Sequence, residues 1–259
     1  MSADALLDAA LDAARAAGAL ALRYFSGGVE VSLKADQTPV TRADREAEQA
    51  IVERLRPTFP DVGFLGEEYG EQGGQRRRWI VDPIDGTKNF VRGIPYWATL
   101  LALEEDGDVT LGVVHAPATG DLLWARRGRG AFAHERPLRV STVDRLADAT
   151  LLHSSLSWLR TLRPAGYWDG FLRLVDRTER QRGFGDYFGY TFVLRGQAEL
   201  MLEADLKPWD LAPFKVLFEE AGGRLTDFEG QPTIYSGTAL ASNGRVHREA
   251  LAVLRGEPA

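Results

Sequence analysis

Apolar residues recur at helical spacing at the start of the chain. Leu6, Leu7, Ala10, Leu11, Ala14 and Ala17 share one face of a helix predicted over residues 3–25. Gly27 and Gly28 stop it. A second helix is predicted over residues 41–55, with Thr41 and Asp44 resembling a start cap and Pro57 closing it. The pattern then shortens to the runs expected of strands, at residues 62–65, 79–81, 98–103, 109–115 and 121–125. Asp106-Gly107 reads as a hairpin turn, and Gly128 and Gly130 punctuate another. Beyond Ser141 the texture alternates. It gives a strand at 150–153, helices at 167–176 and 187–194, and a strand at 199–202. Pro208-Trp209 opens a helix to Ala221, stopped by Gly222-Gly223; a strand at 224–226 and a helix from about Arg245 follow. No repeat or low-complexity linker interrupts this order, which predicts an α+β fold rather than a simple doubly wound sheet.

A chain of 259 residues, 44% of them hydrophobic, builds a sizeable core as one large domain or two halves sharing an interface. The expected division is residues 1–140 and 141–259. The formal net charge of −6 and the lack of a basic stripe argue against a nucleic-acid partner. The short run Arg76 to Arg78 reads as a solvated face before a strand. With no cysteine, thiolate metal sites and cysteine nucleophiles are excluded. No apolar run is long enough to cross a bilayer, and Asp4 and Asp8 replace the basic start of a secretory signal. The expectation is a cytoplasmic protein without a membrane partner.

Three segments put acids at the ends of apolar elements: Gly66-Glu67-Glu68, Asp82-Pro83-Ile84-Asp85-Gly86-Thr87 and Trp209-Asp210. Taken singly they read as a solvated loop, a surface turn and a helix cap. Together they suggest carboxylates converging in a cleft, where like charges repel unless a cation lies between them. Oxygen donors without cysteine select magnesium, calcium or manganese over zinc. Pro83 fixes a turn that lets Asp82, Asp85 and the Ile84 carbonyl face one site, and Gly86 admits close approach of a ligand. A helix predicted over 87–91 offers N–H groups to a phosphate.

These residues, with Asn89-Phe90 and Glu219-Ala221-Gly222-Gly223, resemble the inositol monophosphatase family over nearly the whole chain. The resemblance implies a layered α/β/α/β/α sandwich of the inositol monophosphatase / fructose bisphosphatase type. It also implies a lithium-sensitive, magnesium-dependent phosphatase, commonly a homodimer. By position, Glu67, Asp82, the Ile84 carbonyl, Asp85 and Asp210 bind two or three Mg2+ ions, with Mn2+ an alternative. Asp44 and Thr87 position the attacking water, Glu67 is counted with them as catalytic, and Gly86 and Thr87 hold phosphate oxygens. The segment from Lys34 to Asp44 matches one that closes over the metals, which makes Lys34 a candidate for the phosphate or a third ion's water.

The substrate that the resemblance implies is a small phosphate ester. Where inositol-specific members carry small residues, this chain reads Gly185-Asp186-Tyr187-Phe188, and Glu203 matches a substrate-contacting position. Two extra carboxylates suit a cationic leaving group. The Gly-Asp-Tyr-x-Gly-Tyr segment resembles the histidinol-phosphatase branch, which favours histidinol phosphate. An inositol-1-phosphatase or a broad sugar-phosphate phosphatase is the alternative, and a non-catalytic metal-binding regulator is the reading of another class. Asp186 could instead cap a helix starting near Tyr187. His115, His134, His153 and His247 read as structural or surface residues, and no Ser-His pair is evident. Tyr187 and Trp158 are expected in the core, and Arg182 and Arg195 in ion pairs.

Overall fold

The computed structural model describes residues 4–27, 31–33, 39–161 and 166–257. The first part runs α1 (Ala5–Gly27), β1 (Val31–Leu33), β2 (Pro39–Thr41), α2 (Arg42–Leu55), β3 (Gly63–Gly66), β4 (Gly70–Gln72), β5 (Arg77–Asp85), α3 (Thr87–Phe90), β6 (Ala98–Glu105), β7 (Asp108–Ala116), β8 (Asp121–Arg126), β9 (Gly130–Ala133) and β10 (Arg136–Pro137). The second runs β11 (Thr150–His153), α4 (Leu156–Thr161), α5 (Tyr167–Arg177), β12 (Arg180–Gly183), α6 (Asp186–Leu194), β13 (Leu200–Ala204), α7 (Pro208–Ala221), β14 (Arg224–Thr226), β15 (Thr238–Ser242) and α8 (His247–Arg255).

Eight strands form one sheet in the order β10-β9-β8-β7-β6-β5-β3-β4, and five form another in the order β12-β11-β13-β15-β14. Side chains alternate across each sheet, so every strand feeds two apolar layers. On β6, Leu101 and Leu103 pack with α1 and α2, while Leu100 and Ala102 pack with α6 and α7. On β13, Met201 joins that same α6–α7 layer, while Leu200 and Leu202 pack with α5 and α8. The result is helices, sheet, helices, sheet, helices: the α+β sandwich of five layers that the family resemblance implies. The middle helices touch both sheets. Gly112 on β7 lets α7 come close, since a Cβ there would lie 2.5 Å from the Pro213 carbonyl oxygen.

Asp106 and Gly107, both at positive φ, join β6 to β7 as the predicted two-residue hairpin. The short strands β1, β2, β4, β9 and β10, strands β12 and β15, and helix α4 were not legible. β12 is a polar edge strand, Arg-Gln-Arg-Gly, without alternation, and β15 is a fully buried run of mostly small residues. Arg78 departs from the solvated reading of its run. Its guanidinium donates to buried Glu104 at 2.7 Å and to the Tyr235 hydroxyl at 2.9 Å. Arg76 pairs with Asp106 on the surface as expected. Lys34, Asp36 and Gly28 lie outside the described residues, as does the Thr41 side chain. Among the described residues no helix is long and apolar enough to cross a membrane.

Candidate active site

The acids meet because of strand register. β3 and β5 run parallel with Gly66 opposite Val81, so the next residues, Glu67 just past β3 and Asp82 still within β5, lie side by side. The β5–β6 register shifts between Asp82 and Asp85, which turns both into the cleft. Pro83 sits in that irregularity, where no ladder N–H is needed, and its carbonyl accepts the Thr99 hydroxyl at 2.9 Å. Asp210 arrives from the first turn of α7. Ligand atoms of Asp82, Asp85 and Asp210 lie within 4.8 Å of one another. Glu67 lines the same cavity, whose volume is about 1150 Å³.

Each of the three aspartates is held by one main-chain N–H. Ile84 N donates to Asp82 at 2.9 Å, Tyr187 N to Asp85 at 2.6 Å and Lys207 N to Asp210 at 2.7 Å. Asp210 thus serves as a helix-start partner and still faces the cavity. Burial, then the neighbouring charges of Glu67, Asp85 and Asp210, push Asp82 well above the usual carboxylate range. Burial and Asp186 do the same to Asp85, against the Tyr187 N–H. Burial raises Asp210 to about 7. Crowded oxygens of this kind fit a hard divalent cation, which relieves the repulsion that otherwise favours protonation.

The predicted pair Asp44–Thr87 is brought together, with Asp44 buried in the first turn of α2. The Thr87 hydroxyl stands 3.5 Å from Asp44 and 3.0 Å from the Ile84 carbonyl, which receives its proton as the nearer acceptor. Gly86, at φ 81°, and Thr87 line the cavity. Helix α3 is a single turn, too short for a sizeable macrodipole.

Asp186 and Glu203 line the far side of the cavity. Asp186 does not cap α6; its carboxylate accepts from Asn89 Nδ2 at 2.9 Å, and no side chain caps that helix. It holds a left-handed φ of 55°, a strained state for a residue with a Cβ. Glu203 Oε1 accepts from Asp186 N at 3.4 Å, whereas Oε2 and the nearby Tyr190 hydroxyl are buried without a hydrogen-bond partner. Burial, then the charge of Asp186, pushes Glu203 up to about 8. Tyr96 stacks on Phe188 at 4.1 Å to form an aromatic wall.

Several sequence expectations change here. Trp158 lines the cavity rather than lying wholly in the core, with Lys88 Nζ 4.8 Å above its ring. Tyr187 is in the core as expected. Arg195 pairs with Asp121 at 2.6 Å, but Arg182 donates to the Gln181 carbonyl instead of an acid. A Ser-His pair does exist: Ser242 Oγ lies 2.8 Å from His247 Nδ1, and Thr226 Oγ1 lies 3.0 Å from Nε2. All three are buried away from the cavity, so the pair is structural. Glu48, Tyr190, Asn89 and Ser154 were missed as site neighbours. Glu48 had a signal, an acid one turn after Asp44 on the apolar face of α2.

The profile of the inositol monophosphatase family matches residues 2–257. The chain belongs to the inositol monophosphatase family. Among its relatives, the histidinol-phosphatase of Mycobacterium tuberculosis is 44% identical over 97% of this chain and 98% of its own. That of Streptomyces coelicolor is 43% identical over 90% of each. Among solved structures, the Thermotoga maritima IMPase superposes with a TM-score of 0.84 at 34% identity, over 96% of each chain. This inositol monophosphatase family member is a phosphoric monoester hydrolase of a family known for divalent-metal dependence, and its cluster of Asp82, Asp85 and Asp210 could hold such a metal.

Proposed function

We propose that this phosphatase hydrolyses histidinol phosphate in a magnesium-dependent reaction. The observation that carries the reading is a pair of carboxylates beyond the cation cluster, half-buried Asp186 and buried Glu203. A neutral polyol has little use for that charge, while an ammonium group gives each acid a charge-assisted partner. The aromatic wall of Tyr96 and Phe188 suits an imidazole. The histidinol-phosphatase relatives at 43–44% identity support the same choice.

Glu67, Asp82, the Ile84 carbonyl, Asp85 and Asp210 would hold two or three Mg2+ ions, with Mn2+ as a substitute. When bound, such cations neutralise phosphate charge and make water a stronger nucleophile. Gly86 and Thr87 hold phosphate oxygens, and Asp44 with Thr87 orients the attacking water. Water's oxygen bonds to phosphorus, the ester P–O bond breaks, and the alcohol leaves with a proton. Asp186 and Glu203 hold the leaving alcohol by its cationic end. Residues 1–140 thus supply most cation ligands and the phosphate turn, and residues 141–259 supply Asp210 and the specificity residues. A cytoplasmic homodimer completes the proposal.

Phosphate release with magnesium, on histidinol phosphate and inositol 1-phosphate, tests it in wild type and Asp186→Ala. A strong preference for histidinol phosphate, lost in the variant, is expected. Similar rates on both, unchanged by the variant, would refute the substrate assignment and leave a generalist phosphatase.

A further inference from the structure

The turn that carries Glu67 has three successive N–H groups, and each has an acceptor. Glu67 N donates to the Val81 carbonyl at 3.1 Å. Glu68 N and Tyr69 N donate to the two oxygens of one side chain, Glu48, at 2.9 and 3.2 Å. Glu48 comes from α2 and is buried. It reaches the turn because residue 66 is glycine: a Cβ there would lie 1.9 Å from Glu48 Oε1. The Tyr69 hydroxyl also returns to α2, at the Arg45 carbonyl, 3.4 Å away. One helical turn before Glu48, Asp44 faces Thr87. A single helix face therefore meets both the Glu67 turn and the Thr87 turn.

We propose that Glu48 is a positioning residue: by clamping the backbone of Glu68 and Tyr69 it sets the Glu67 carboxylate in the cation site. This rests on the reading of Glu67 as a cation ligand. A carboxylate suits the task because it is an acceptor on both oxygens. Glutamine has one acceptor and would turn an NH2 against the second N–H. Supporting groups behind metal ligands typically change metal affinity by about 10–100-fold.

The test is Mn2+ and Mg2+ affinity by calorimetry, without substrate, on wild type, Glu48→Gln, Glu67→Ala and the double variant. Glu48→Gln is expected to weaken binding about tenfold in the wild-type background and to change nothing further when Glu67 is already alanine. An equal loss in both backgrounds would show that Glu48 acts on the fold at large and would overturn the proposal. So would unchanged affinity in Glu48→Gln. Wild-type affinity in Glu67→Ala would refute the ligand reading itself, and the proposal with it. Gly66→Ala displaces Glu48 from the other side and should reproduce the loss. Retained affinity in folded Gly66→Ala protein would count against the clamp.

Discussion

Replacing Gly112 by alanine should damage the active site from the far side of a helix. The added Cβ would lie 2.5 Å from the Pro213 carbonyl oxygen, 2.8 Å from its Cα and 2.9 Å from Val216 Cγ1. Two of those atoms are backbone, so no side-chain tip can yield. Helix α7 must retreat by roughly 1 Å to restore ordinary contact. Overpacking of this kind costs about 1–3 kcal/mol. In a chain of this size that lowers Tm by roughly 2–12 °C. Pro213 is three residues beyond Asp210, so the retreat also moves one of the three clustered aspartates. A displacement of about 1 Å in such a group can cost on the order of 100-fold in rate. The assay pairs a thermal melt with Mg2+ affinity and phosphate release. Both Tm and Mg2+ affinity should fall. A lowered Tm with unchanged affinity and kcat would show that β7 absorbs the strain, refuting the idea that Gly112 sets the place of Asp210.

Asp82→Asn should reduce phosphatase activity by about 100-fold or more, because it removes a charge at the centre of the cluster; full activity with magnesium would dismiss the assignment. Arg78→Ala leaves buried Glu104 without its cation and should cost about 3 kcal/mol, read by urea unfolding at pH 7. His247 gives a pH signature. Burial lowers it to about 4 from 6.5, so the unfolded chain binds the extra proton and stability falls as pH drops through that window. At pH 5 this residue alone removes about 2 kcal/mol relative to pH 8. His247→Gln should flatten the urea-measured slope by nearly one proton, and an identical slope in both proteins would exclude His247 as its source.

The layers were legible because strand and helix periods differ and because turn residues punctuate them. Leu100 to Leu103 alternate as a two-faced strand must, and Asp106-Gly107 marked its hairpin. The metal-type acids were legible because Asp82-Pro83-Ile84-Asp85 compresses the cluster into one short segment. What stayed hidden depends on partners distant in the chain. Asp85 is held by the N–H of Tyr187, and Asp186 by Asn89, contacts that no local pattern encodes. Arg78 looked solvated because its acceptors come from β6 and from the loop after β14. The Ser242–His247 pair was invisible for another reason: its members are five residues apart, but β15, which sets the place of Ser242, lacks a strand signature.

The way the acids are held also explains why one chain can crowd them. Without a cation, burial and mutual repulsion oppose the charge on Asp82, Asp85 and Asp210. The opposition is limited because each carboxylate keeps a main-chain N–H, and those donors belong to three different elements: the β5 turn, α6 and the start of α7. Backbone donors cannot swing away as side chains can, so the geometry exists before any ligand arrives. Two of the donors, Tyr187 N and Lys207 N, come from the later part of the chain. Docking of α6 and α7 on the first sheet therefore assembles the cluster, and the apolar layer between the two sheets becomes part of the catalytic apparatus.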